Sequence, residues 1–189
     1  LCNIDVIGQG QVEIGRIYDQ RNEAGIDFDT ILEEELFFVT RSGDKTCAAA
    51  PTQISITMVE LERLPLIVPS RPNTLRVIVE EAAVQADISL DVAYEIDSLS
   101  LVKSLVSRGL AYTILGYSAV HEEVIRGTLD VVPIESPTMI GRLIIAYRAG
   151  QVMSTAMQEV IRNIKATGRE IVKSSQWRSR MRWGDRFQV

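Results

Sequence analysis

Between residues 66 and 134 the spacing of apolar positions keeps switching between two periods. Short apolar or alternating runs, LIVP (66–69), LDVAYEI (90–96), LAYTIL (110–115) and LDVVPI (129–134), read as strands. Between them lie TLRVIVEEAAVQA (74–86), SLSLVKSLVSR (98–108) and YSAVHEEVIR (117–126). There Leu75, Val79, Ala82 and Ala86, and then Leu101, Val102, Leu105 and Val106, recur at the three-to-four spacing of a helix face. Gly109 and Gly127 fall where helix C-caps belong. Strand and helix in strict alternation predict a mostly parallel sheet covered by helices.

The flanks read differently. LCNIDVIG (1–8) is the end of a helix stopped by Gly8 and Gly10, and VEIGRIYD (12–19) alternates as a strand. Residues 20–29 are polar and predict a loop, DTILEEELFFVTR (29–41) a strand, and GDKTCAAAP (43–51) another loop. Thr57 followed by Glu60 is a capping box, with Ile56 and Leu61 placed as a hydrophobic staple, so a helix starts there. It must be short, because Pro65 and a strand follow. After Pro137, IGRLIIAYR is a strand. The stretch 153–168 is an amphipathic helix with Met153, Ala156, Met157, Val160, Ile161 and Ile164 on one face. Residues 171–189 lose this period and interleave Lys173, Arg178, Arg180, Arg182 and Arg186 with Trp177, Trp183 and Phe187. Such a tail suits an anionic surface or nucleic acid, or is a plain terminal extension.

Composition narrows the function classes. The 189 residues are 46% hydrophobic and 24% charged, as in an ordinary globular protein able to bury a core. A net charge of −5 argues against the whole chain binding nucleic acid, which needs a basic face. No apolar run approaches the ~18 residues of a membrane span, and the N-terminus carries no recognisable signal peptide. Two cysteines make a disulfide framework unexpected and favour a reducing, cytoplasmic setting.

The polar residues worth most attention sit in the strand-to-helix turns. In an open α/β sheet, ligands bind beyond the carboxyl ends of the strands. Ser70, Arg71, Asn73 and Thr74 occupy the first turn, Asp97 and Ser98 the second, and Gly116, Tyr117 and Ser118 the third. A helix start offers free N–H groups and a positive dipole end, suited to a carboxylate, sulfate or phosphate. The competing reading is that Asn73 or Thr74, Ser98 and Ser118 are N-caps that serve only their own helices.

LPLIVPSRPNTLR, followed by VAYEIDSLSLVKSLVSRGLAYTILGYSAV, resembles the effector-binding domain of LysR-type transcriptional regulators, and VEIGRIYD with LEEELFFV resembles an earlier segment of the same domain. The resemblance runs from about residue 8 to 166. It implies an α/β, type 2 periplasmic-binding-protein-like fold of two subdomains, three-layer αβα, joined by two crossover strands near Leu36–Arg41 and Arg142–Arg148. Residues 1–66 with 142–170 would form subdomain I and residues 67–141 subdomain II, with 171–189 as a C-terminal tail. A small-molecule effector would sit in the cleft between subdomains, at Tyr18 and Asp19, the turn Ser70–Thr74 including Arg71 and Asn73, Asp97 and Ser98, and Thr113 to Tyr117 including Gly116.

The resemblance also implies a homo-oligomer, a dimer of effector domains and a tetramer of the full-length regulator. DNA would be bound only through an N-terminal winged helix-turn-helix that this chain does not contain. The first strand and helix of the family's domain also have no counterpart here, so subdomain I is expected to look incomplete.

Other chemistry is thin. His121 is the single histidine, set in a polar helix pattern, and reads as a solvated surface residue; with no Cys/His cluster, no metal site is expected. Gly116-Tyr117-Ser118-Ala119-Val120 lacks the last glycine of a nucleophile elbow, and Gly8-Gln9-Gly10 lacks the third glycine of a dinucleotide loop. Glu33-Glu34-Glu35 reads as the solvated side of a strand. The expected function is therefore ligand sensing without catalysis or cofactor, in a regulator outside the membrane. A solute receptor of the same fold and a small-metabolite enzyme are the alternatives.

Overall fold

The computed structural model describes residues 14–18, 25–44 and 55–173. The expected helix end at 1–8, Asp19, the part of the loop at 45–51 and the tail from 174 on lie outside the described residues. The chain divides into two compact units, one taking residues up to Glu34 and from Gly141 on, the other Glu35–Ile140.

The larger unit is built on strands β3 (Ile56–Thr57), β4 (Leu66–Val68), β5 (Val92–Glu95), β6 (Tyr112–Gly116) and β7 (Leu129–Glu135), with the C-terminal half of β2 (Ile26–Arg41). Their order is β3-β7-β2-β6-β4-β5. β4 runs parallel to both β5 and β6, with Leu66 opposite Tyr112 and Val92. β2 runs antiparallel between β6 and β7, with Phe37 opposite Leu115 and Pro133. The sheet is thus mixed: the β3-β7 pair is parallel, as is the β6-β4-β5 segment that the alternating pattern marks.

The apolar runs are continuous because the sheet is covered on both faces. The two-residue period sends Leu66 and Val68 of β4, with Leu36 and Phe38 of β2, into one cluster. That cluster is closed by α1 (Met58–Leu61) and α2 (Thr74–Gln85) through Met58, Leu61, Val79 and Ala82. Ile67 and Val39 point to the opposite cluster, closed by Val102 and Val106 of α3 (Leu99–Ser107) and Val120 of α4 (Tyr117–Ile125). This is a three-layer αβα unit. Across α3 and α4, Lys103 pairs with Glu123 at 2.9 Å. Gly109 and Gly127 follow the last turns of these helices at φ 71° and 69°, a left-handed backbone that glycine adopts without steric cost.

The smaller unit holds β1 (Ile14–Tyr18), β8 (Ile140–Arg148), the first half of β2 and α5 (Thr155–Lys173). β1 pairs antiparallel with β8, from Ile14 opposite Tyr147 to Tyr18 opposite Leu143. β2 lies on the other side of β8. There Ala149 donates its backbone N–H to the Gly25 carbonyl at 2.9 Å, and Arg142 pairs with Glu33 at 2.9 Å. Ser154 caps α5 by accepting the Met157 N–H at 3.2 Å, and Met157 and Ile161 are buried.

Several expectations need correction. The division falls at Glu34/Glu35 instead of between residues 66 and 67, because Leu36–Val39, β3 and α1 all pair or pack with the central sheet. Residues 26–29, expected in a loop, begin β2: the turn ends at Gly25, whose φ of 85° suits only glycine well. Ile56 and Thr57, expected only to flank a helix, also pair with Ile134 and Glu135 of β7. α5 continues through Gly168 to Lys173, so the tail begins later than residue 171. On its expected apolar face Val160 is 46% and Ile164 36% exposed. Glu34 is buried, not solvated, because strand period two puts it opposite Glu33 and Glu35, on the side of Leu36 and Phe38.

Candidate functional site

β4, β5 and β6 are parallel, so the turns that follow them open at one edge of the sheet. Those turns lead into the helix starts at Thr74, Leu99 and Tyr117. They are joined side by side. Ile96 donates its backbone N–H to the Val68 carbonyl at 3.0 Å, extending the β4–β5 ladder past the strand ends. Ser70 donates its backbone N–H to Asp97 Oδ1 at 3.0 Å.

The three helix starts are not equivalent. Asn73 caps α2, its Oδ1 accepting the Leu75 N–H at 2.9 Å, so its side chain serves its own helix. Ser98 holds the N-cap position of α3 but makes no side-chain cap bond; its hydroxyl lies 3.1 Å from that of Ser100. α4 takes Gly116 as its N-cap, a residue with no side chain to offer, and Ser118, read as a possible cap, lies inside the helix. α3 and α4 therefore begin without the side-chain acceptor that closes α2.

The remaining candidates separate. Tyr18 ends β1 opposite Leu143, in the other unit. Arg71, the cation of the first turn, is turned onto Glu80 at 2.8 Å. Thr74 opens α2 and is half-buried. Thr113 is buried within the sheet, its hydroxyl donating to the Ile67 carbonyl at 2.8 Å, where it ties β6 to β4. Tyr117 is half-buried with its ring edge-on to Phe37, centroids 6.4 Å apart. Ser70, Asp97, Ser98 and Gly116 are thus the candidates at the strand ends whose placement suits a ligand.

Arg76 is the important residue that the pattern did not single out. It is 7% exposed and sits on the covered face of α2 with Val79 and Ala83. Its Nε reaches Glu80 Oε1, and its Nη1 lies 3.3 Å from the Pro69 carbonyl and 3.2 Å from Glu95 Oε1. The available signal was a lone cation at i−3 and i−7 from two buried apolar residues, with a glutamate at i+4. Partial burial pushes the Glu80 carboxyl up, but hydrogen bonds and charge from Arg76 and Arg71 outweigh it and hold Glu80 below the usual carboxylate range.

His121 is half-buried, with Nδ1 3.1 Å from the Ser118 carbonyl oxygen. Among the described residues, no three His, Cys, Asp or Glu side chains gather as a metal site would need, and no helix is long and apolar enough to cross a membrane.

Comparison with known proteins fits this geometry. Residues 3–169 match the family model described as the LysR substrate binding domain. The chain is 21% identical over 174 residues to the HTH-type transcriptional regulator BbuR of Bordetella bronchiseptica, covering 92% of this chain and 52% of that protein. It therefore spans about half the length of that curated relative. Among solved structures, the regulatory domain of CcmR from Synechocystis PCC6803, in complex with 2-PG, superimposes with a TM-score of 0.76 at 15% identity, over 89% of this chain and 79% of that one. The effector binding domain of QuiR in complex with shikimate gives a TM-score of 0.74 at 16% identity, over 88% and 77%. These similarities in structure share the type 2 periplasmic-binding-protein-like fold, and with the family match covering most of its length, the chain belongs to the LysR substrate binding domain family.

Proposed function

We propose that this chain is the ligand-sensing part of a bacterial LysR-type transcriptional regulator that works in the cytoplasm. Its effector is a small metabolite carrying a carboxylate or similar anionic group, bound at the strand ends of the larger unit. The observation that carries this reading is the pair of helix starts at Ser98 and Gly116, on one sheet edge, without side-chain caps. Helix starts of this kind favour an anion by about 0.3–1 kcal/mol each, and donated N–H groups add to that. With a net charge of −5, the attraction must be local. Asp97 lies beside them, so a ligand with hydroxyl or amine donors as well as an acid suits the edge best.

The mechanism follows from linkage. A ligand that binds one conformation of the domain more tightly favours it, and in an oligomer of the full regulator that bias reaches the DNA-binding domains of the whole protein. It switches nothing unless it binds the two conformations unequally. A thermal-shift screen tests the reading. Acidic compounds, shikimate among them, are compared with neutral and basic ones on the wild type and on Ser98→Ala. Saturation near 100 times Kd adds about 2.7 kcal/mol of stability. The reading fails if only neutral or cationic compounds bind, or if Ser98→Ala leaves the affinity of every hit unchanged.

A further inference from the structure

We infer that Arg76 is a positioning residue for this sheet edge, its guanidinium fixing the turn after β4 against the end of β5. The use of that edge for a ligand rests on the reading above; the contacts of Arg76 do not. A guanidinium carries five N–H donors in one rigid plane, so it can join acceptors on separate segments, and burying it without partners is costly. Arg76 has partners on three segments: Glu80 on its own helix, the Pro69 carbonyl in the turn after β4, and Glu95 at the end of β5.

An ordinary helix ion pair would need only Glu80 and would leave the arginine exposed, as Arg126 is in its pair with Glu122, where its side chain is 65% exposed. Arg76 is instead only 7% exposed, and its Nη1 reaches away from the helix to the two strand ends. Glu80 also holds Arg71, so the same carboxylate draws in a second residue of the turn. The backbone bonds that this arrangement supports are Ser70 N–H to Asp97 and Ile96 N–H to Val68. Both lie at the ends of the strands that Arg76 spans.

Amide hydrogen exchange followed by NMR on the whole 189-residue chain tests this, with global stability measured in parallel by urea unfolding. Arg76→Lys keeps the charge but loses the planar fork. Glu95→Ala removes one acceptor at a side chain that is 52% exposed, where folding is not at risk. In both variants the Ser70 and Ile96 amides should exchange at least tenfold faster than in the wild type. The Tyr112 and Ala86 amides, bonded to Pro65 and Ala82, should keep their rates once the global stability is matched. If Arg76→Lys does not fold, Glu95→Ala decides alone. Unchanged rates at Ser70 and Ile96, full rescue by lysine, or equal acceleration at all four amides would overturn the inference. A wild type that binds no acid in the screen overturns the ligand reading and leaves this test standing.

Discussion

The Ser70 backbone N–H and the Asp97 carboxylate, 27 residues apart in sequence, meet at 3.0 Å and join the turns after two parallel strands. A hydrogen bond to a charged acceptor at a partly exposed site contributes about 1 kcal/mol net. Asp97→Ala should therefore lower stability by roughly 1 kcal/mol, read from urea unfolding at neutral pH. Asp97→Asn, which keeps an acceptor oxygen, should cost less. Equal losses for the two variants would mean that the tie itself contributes nothing.

Asn73 and Ser98 hold the same position on successive helices but only Asn73 makes the cap bond. Asn73→Ala should cost about 1 kcal/mol, the usual loss for an N-cap. Ser98→Ala should stay within about 0.5 kcal/mol, the range of a surface change. Thermal unfolding of the two variants side by side checks this. A silent Ser98→Ala is also what makes it a clean probe of ligand affinity.

α1 has only four residues, yet Met58 and Leu61 are completely buried and pack in the same cluster as Ile56. Leu61→Ala should therefore cost about 2–5 kcal/mol, as for any core leucine. Val160→Ala on the much longer α5, at a side chain 46% exposed, should cost less than about 1 kcal/mol. Urea midpoints at unchanged slope would establish both values.

Acid should expose two carboxylates. Burial of Glu123 pushes its carboxyl up, but the hydrogen bond from Lys103, its own backbone N–H and the charges of Lys103 and Arg126 hold it below the usual range, as the two arginines hold Glu80. A carboxyl lowered in the folded state adds stability that is fully present above its ordinary value of 4.5 and is lost as pH falls through its folded value. Stability measured from pH 7 downward should hold until about pH 5 and then drop. Glu80→Gln and Glu123→Gln should each start lower at neutral pH and show a shallower acid slope. A wild-type slope in either variant would remove that glutamate from the account.

Much of this protein is legible in its sequence. The alternation of periods across residues 66–134 specifies every strand and helix there to within a few residues, because one-face and two-face burial leave different spacings in the chain. The Thr57–Glu60 capping box is equally local: its atoms lie within one turn, so residue types at fixed spacing define it. The turn positions at Ser70, Asp97, Ser98 and Gly116 follow from strand direction alone.

Tertiary structure decided the rest. Residues 35–44 and 55–66 belong with the central sheet because β2 is inserted between β6 and β7, a pairing between segments far apart in sequence that no local period reports. Whether Arg71 was available to an acid depended on Glu80, and whether Thr113 was available depended on the Ile67 carbonyl. The burial of Arg76 and Glu34 contradicts their charge, and arises because each side chain's direction is fixed by its helix or strand before its partners are counted. Polar residues bind whatever acceptor or donor the folded chain brings within about 3 Å, so their roles are set by distances that sequence spacing does not contain.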